Sequence, residues 1–168
     1  MKSAIRVEIV DHQRDVSVPA ATIKILEAFA KKAWPMLADL ANSPCALDEL
    51  EEISVAFVNE YDSARVHLQF MGVAGSTDVI TFEHGELLIC PAVAMRQAEQ
   101  YAEPVPRELF RYIVHGMLHL AGYEDDSFEK RKRMEDIQEN MILVLWKDSA
   151  AGISNNCPDK SDEISSIS

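Results

Sequence analysis

The chain has few of the features that mark membrane or secreted proteins. Its longest uninterrupted apolar run, residues 141–146, has six members, whereas a membrane-spanning helix needs about 20. Residues 1–8 include three charges, so we expect no signal peptide there. The cysteines Cys45, Cys90 and Cys157 are odd in number and form no CxxC pair, which argues against a disulfide framework. These patterns predict a cytoplasmic protein without a membrane partner.

Basic residues are also scarce. Sixteen Lys and Arg stand against 28 Asp and Glu, a net charge of −12. Proteins that bind free nucleic acid through its phosphates usually have the opposite sign. The balance leaves room for a local basic patch, or for a metal ion that supplies the positive charge. The one dense basic run, residues 130–133, is interpreted as a solvated helix surface, with an RNA-backbone contact as the alternative.

Apolar periodicity predicts one α+β domain over residues 1–148, with a small mixed sheet of about four strands packed with four to five helices. Pro35 is expected to kink or end its helix late. Residues 149–168, rich in serine and free of aromatics, are predicted to be a disordered tail. The predicted strands are 5–10, 53–58, 78–82 and 86–90, the last two forming a hairpin, and the predicted helices are 20–40, 63–70, 91–101, 107–122 and 127–146.

The run HGMLHLAGYEDD at residues 115–126 holds the residues suited to chemistry. His115 and His119 are four apart, so a helix places both imidazoles on one face, one turn apart. Both nitrogens can then reach one ion at about 2.0–2.1 Å. Gly122 can adopt positive φ and turn the chain back. That turn would bring one of the carboxylates at 124–126 toward the ion, although spacing does not choose among them.

Three protein ligands leave a fourth position open for water, as in catalytic zinc sites. The alternative is a core histidine and a boundary histidine that bind no metal. Gly116 stands where the HExxH motif has glutamate, so the general base of that class of metalloproteases is missing.

The same run resembles the H-G-x-L-H-L-x-G-Y-D-H signature of the YbeY family of bacterial endoribonucleases. Residues 76–82, STDVITF, are similar to the family's P-T-D-V-L-S-F, and the resemblance covers about residues 5–146. It implies a single-strand-specific, zinc-dependent endoribonuclease with one Zn²⁺ per chain, acting in rRNA maturation, including the 3′ end of 16S rRNA, and in ribosome quality control. The implied partners are rRNA and ribosomal particles, with ribosomal proteins or GTPases as further candidates. Shorter matches follow in the family's order at 85–87, 94–99 and 107–109.

One departure from the family concerns the third metal ligand. The family's third histidine falls on Asp125, with Glu124 in the place of the preceding aspartate. The resemblance therefore selects Asp125 beside His115 and His119, with a metal-bound water as the expected reactive group and no catalytic side chain assigned. A carboxylate makes the ion a weaker Lewis acid than an imidazole does and opens the site to harder metals.

A second departure lies six residues before the family's T-D pair, where Met71 replaces an arginine. This removes a partner for a scissile phosphate. It favours an alternative function, a ribosome assembly factor whose zinc is structural and whose cleavage is weak or absent. A metallohydrolase of peptides or small molecules is another alternative, and the glutamate missing at Gly116 argues against peptide hydrolysis.

Three further polar residues, His84, Thr77 and Asp78, lie near these motifs. His84 lies in the predicted hairpin turn, where it could reach a substrate phosphate, but a solvated turn histidine is the preferred interpretation. Thr77 and Asp78 are expected to fix the loop and the strand register rather than to take part in chemistry.

Overall fold

The computed structural model describes residues 4–147. Within that range the chain forms four strands and five helices, and no helix there is long and apolar enough to cross a membrane. The predicted tail, residues 149–168, and residue 148 lie outside the described residues. The elements are β1 Arg6–Asp11, α1 Ala20–Leu40, a 3₁₀ turn Ala46–Asp48, β2 Glu52–Phe57, α2 Glu60–Met71, β3 Val79–Phe82, β4 Glu86–Ile89, α3 Pro91–Gln100, α4 Val105–Leu120 and α5 Phe128–Lys147.

The strands form one mixed sheet in the order β1-β2-β4-β3. β1, β2 and β4 run parallel, and β3 pairs antiparallel with β4. The β3–β4 hairpin turns at Gly85, whose φ of +93° suits a residue without a Cβ, and its N–H donates to the Phe82 carbonyl at 2.9 Å. The α+β class and the small mixed sheet predicted from the sequence are confirmed.

Helix α4 is the centre of the packing. It contacts α1, α3, α5 and strands β3 and β4, and ten of its sixteen residues are buried. The strand side chains on one face of the sheet are fully buried and alternate with more exposed ones, as expected for a sheet covered on that face. Burial of this apolar surface provides the main stabilisation of the fold. The fully buried strand residues are Ile53, Val55, Phe57, Leu87 and Ile89.

The start of α2 differs from the sequence prediction. α2 begins at Glu60 rather than at 63, because the Asn59 side chain accepts a hydrogen bond from the Asp62 N–H at 2.8 Å and caps the helix. α1 has the predicted bounds, Ala20–Leu40, and includes Pro35. Buried apolar residues on either side of the proline, Trp34 and Leu37, keep this part of the helix packed on the core.

Candidate metal centre

The last two turns of α4 present both histidines on one partly exposed edge. The Nε2 atoms of His115 and His119 are 3.1 Å apart. The Oδ2 atom of Asp125, beyond the end of the helix, lies 3.9 Å from the His115 Nε2 and 3.8 Å from the His119 Nε2. Among residues 4–147, these three form the one group of metal-ligating side chains close enough to share an ion.

The spacing of these three atoms matches a zinc ion. A triangle with sides of 3.1, 3.9 and 3.8 Å has a point about 2.1 Å from each corner, and zinc bonds to nitrogen and carboxylate oxygen measure about 2.0–2.2 Å. The donor set of two imidazoles and one carboxylate suits zinc and other first-row divalent metals.

Hydrogen bonds on the far side of each ring fix the tautomers. The His119 Nδ1 lies 3.0 Å from the Tyr123 carbonyl oxygen, which accepts only, so this nitrogen carries the proton. The His115 Nδ1 lies 3.0 Å from the Gln138 Oε1. Both Nε2 atoms then present lone pairs to the same position, where a cation would be bound. The residues therefore fit a metal, and carbonyl partners of this kind are typical of metal-binding histidines.

Electrostatics also keep His115 in the form that binds metal. Burial lowers the pKa of His115 below its ordinary value, and the neighbouring His119 lowers this pKa further. The hydrogen bond with Gln138 and the carboxylates of Asp78 and Asp125 act in the opposite direction with smaller effect. The His115 imidazole is therefore neutral at pH 7, as a metal ligand must be.

The turn after α4 is fixed to the end of α1. Gly122 has φ +89°, and a Cβ there would lie 2.8 Å from the Asn42 carbonyl oxygen. The Asn42 N–H donates to the Ala121 carbonyl at 2.9 Å, and the Tyr123 hydroxyl donates to the Leu40 carbonyl at 2.8 Å. These contacts turn the chain and carry Asp125 back toward the histidines.

We expect the Gly122→Ala variant to lose more than about 1 kcal/mol of unfolding free energy, because alanine is strained at positive φ and clashes with the Asn42 backbone. Urea unfolding measures this loss. Gly75→Ala is the matched control, since Gly75 has φ +92° but no atom within 4 Å of an added Cβ. Equal losses in the two variants would contradict the role given to the close approach.

The three acidic residues of the turn, Glu124, Asp125 and Asp126, have different partners. The Lys130 Nζ lies 2.6 Å from the Glu124 Oε2 and 2.9 Å from the Asp126 Oδ1, so these two carboxylates pair with α5. Asp125 faces the histidines, and its backbone carbonyl accepts from the Arg131 Nη2 at 3.3 Å. Two members of the basic run thus contact the acidic turn that precedes them.

Gly116, His84 and Asp78, which the sequence analysis considered, contact other groups and not the metal position. Gly116 faces the sheet, where an added Cβ would meet the Leu87 side chain at 2.7 Å, so the position has no room for the glutamate of HExxH. The His84 Nε2 is 3.0 Å from the Glu86 Oε2 in the exposed hairpin turn. Asp78 Oδ1 accepts from the Thr77 hydroxyl and the Val79 N–H and so orders the start of β3.

Sequence reasoning missed Gln138. It lies on the buried face of α5 and is only 7% exposed. A polar residue in an otherwise apolar helical row was the available signal. The apolar members of that row are Met134, Met141, Ile142 and Leu145.

Comparison with known proteins agrees with the fold and the motifs. A family model described as Endoribonuclease YbeY matches residues 9–145. Endoribonuclease YbeY of Frankia alni is 34% identical over an alignment of 120 residues, and the match covers 60% of this chain and 66% of that protein. Endoribonuclease YbeY of Thermobifida fusca is 32% identical over an alignment of 117 residues, and the match covers 60% of this chain and 75% of that protein.

A solved structure shares the fold. The solution structure of TM1509 from Thermotoga maritima superposes with a TM-score of 0.55 at 23% identity, covering 91% of this chain and 98% of that one. The family match spans most of the chain, and the family name supports an endoribonuclease role. On this match and these relatives, the chain belongs to the Endoribonuclease YbeY family.

Proposed function

We propose that this protein is a zinc-dependent, single-strand-specific endoribonuclease that acts in the cytoplasm in rRNA maturation, including the 3′ end of 16S rRNA, and in late ribosome quality control. The observation that carries the metal-dependent part is the convergence of His115 Nε2, His119 Nε2 and Asp125 Oδ2 on one position of zinc-bond size. Family membership supports RNA as the substrate class.

Each ligand has a separate role in holding the ion. The two imidazoles would donate lone pairs from a helix that is largely buried, and the Asp125 carboxylate would offset part of the charge. A bound divalent ion would lower the pKa of a water and neutralise charge that develops on a phosphate. None of the chain's side chains is assigned as general base, since Gly116 replaces the glutamate that would serve in HExxH.

The exposure of the site supports a large substrate. The side chains of His115, His119 and Asp125 are 24%, 29% and 45% exposed. An ion held by them would lie at an open surface that a polymer chain can approach. Because the net charge is −12, we propose that the protein meets rRNA within ribosomal particles, with a ribosomal protein or a GTPase helping to hold it there.

Metal removal tests the proposal. We expect purified protein to contain about one zinc per chain and to cut single-stranded RNA carrying the 16S 3′ end, but not the same sequence in a duplex. Chelation should abolish cleavage and zinc should restore it. His119→Ala should lose both metal and cleavage. His67→Ala should retain both, since His67 is a partly exposed histidine whose Nδ1 contacts the Gly75 carbonyl.

The RNA products also identify the attacking group. A 2′-hydroxyl attack leaves a 2′,3′-cyclic phosphate and is blocked by a 2′-deoxy nucleotide at the cut, whereas attack by water is not. Cleavage that persists unchanged in His119→Ala would contradict the proposed active site.

The assembly-factor alternative is favoured by Met71, which ends α2 with an exposed side chain where the family has an arginine. Zinc retained without any RNA cleavage, even with ribosomal particles present, would support that alternative. Hydrolysis of peptides is disfavoured by the packing of Gly116 against Leu87, and a panel of peptide substrates checks this directly.

A further inference from the structure

A buried amide links the metal centre to the opposite helix. Gln138 on α5 is only 7% exposed, and its Oε1 lies 3.0 Å from the Nδ1 of His115. Its neighbours on the buried face of α5 are apolar, so its polar atoms must find partners within the protein. His115 is one of these partners.

The orientation of the Gln138 amide is set by Glu139. The Gln138 Nε2 donates to the Glu139 Oε1 at 3.2 Å, and a carboxylate oxygen can only accept. The amide oxygen is therefore the atom that faces His115. An oxygen there accepts the Nδ1 proton, which leaves the Nε2 of His115 as the nitrogen with a free lone pair.

Glu139 is in turn held by Arg111. The Arg111 Nε donates to the Glu139 Oε1 at 2.7 Å and its Nη2 to the Oε2 at 3.2 Å, which makes a bidentate ion pair. Arg111 also pairs with Glu108 and with Glu103, whose Oε2 lies 2.8 Å from its Nη1. Its side chain is 15% exposed. Arg111 precedes His115 by one turn of α4, so the chain of contacts begins and ends on the same helix.

The two histidines differ in how their tautomers are fixed. His119 donates to the backbone carbonyl of Tyr123, which side-chain substitutions elsewhere leave in place. The tautomer of His115 depends on the hydrogen-bonded side chains of Gln138, Glu139 and Arg111. The tautomer of His119 is therefore an internal control for any substitution among these three residues.

We infer that Gln138, oriented by Glu139 and Arg111, is a positioning residue that selects the Nδ1–H tautomer of His115 and so directs its Nε2 toward the metal position. The inference rests on the metal centre of the proposed function. Its main readout, however, is the tautomer of His115 in the metal-free protein, which does not depend on RNA cleavage.

The test is ¹⁵N NMR of the imidazoles in metal-free protein at about pH 8, above the ordinary imidazole pKa. In wild type we expect Nδ1–H for both His115 and His119. In Gln138→Leu, His115 should shift toward Nε2–H while His119 is unchanged, and zinc affinity should fall about 10–100-fold. Gln138→Glu should restore Nδ1–H, because its carboxylate also accepts that proton.

Two further variants complete the test. Glu139→Ala frees the Gln138 amide to rotate and should raise the Nε2–H fraction of His115. Asn140→Leu makes the same kind of exchange at an exposed position of α5 and should change neither tautomer nor affinity. A His115 that stays Nδ1–H in Gln138→Leu would overturn the inference. A wild type that binds no zinc would instead overturn the proposed function, whatever the tautomer.

Discussion

We expect the Asp125→Ala variant to lose its metal ion and, with it, RNA cleavage. Among residues 4–147, Asp125 supplies the one carboxylate oxygen that lies within 4 Å of both histidine Nε2 atoms, at 3.9 and 3.8 Å. Without it two imidazoles remain, too few for a stable catalytic zinc site. Zinc affinity should fall by more than the 10–100-fold that the loss of an outer partner typically costs, about two orders of magnitude or more. Metal analysis and a competition titration with a chelator measure this loss.

The neighbouring acidic residues provide matched controls for this variant. Glu124→Ala and Asp126→Ala remove carboxylates that pair with Lys130 rather than with the histidines, so both should keep the metal. Asp125→His, which places an imidazole where the family has one, should also bind zinc. If Asp125→Ala keeps its metal and Glu124→Ala or Asp126→Ala loses it, the third ligand is one of those two residues.

The Gly116→Glu variant, which would complete an HExxH motif, is expected to be strongly destabilised rather than to gain peptidase activity. The position is buried, with Leu87 side-chain atoms at 2.7 and 3.0 Å and the Thr81 hydroxyl at 3.1 Å from an added Cβ. A glutamate must displace these groups and bury a carboxylate at a position that is closed to water. The two effects together should cost at least about 3 kcal/mol of unfolding free energy. Urea unfolding followed by circular dichroism measures it.

Met95→Glu is the control for adding a carboxylate to a helix. Met95 lies on α3 and is 43% exposed, so the substitution should change stability by no more than about 0.5 kcal/mol. A Gly116→Glu protein that folds with the stability of wild type would contradict the close packing of Gly116 against Leu87. Peptide hydrolysis by that folded protein would revive the metallohydrolase alternative.

Much of the fold followed from local patterns in the sequence. The apolar periodicity of α4 and the three-residue link between β3 and β4 are short-range signals, and both elements form as expected. The start of α2 was missed because it depends on one hydrogen bond, from Asp62 N–H to the Asn59 side chain. The order β1-β2-β4-β3 depends on contacts between distant segments, and sequence periodicity contains no information about it.

The metal centre was predictable only in part. The four-residue spacing of His115 and His119 places them together on any helix. The choice of Asp125 among three carboxylates came from the family resemblance, since all three can follow the turn at Gly122. Gln138 was missed because its contact with His115 joins two helices across 23 residues of sequence, and only the packing of α5 on α4 creates it.

The central position of α4 has a consequence for how an ion enters and leaves. Opening α4 would disrupt the core, so we expect the helix to hold His115 and His119 one turn apart until the protein unfolds globally. Asp125 lies half-exposed on the turn beyond Gly122, and exposed segments open locally at much smaller cost. Local opening at residues 124–127, which amide hydrogen exchange reports, would therefore withdraw the Asp125 carboxylate from an ion while both histidines stay in place.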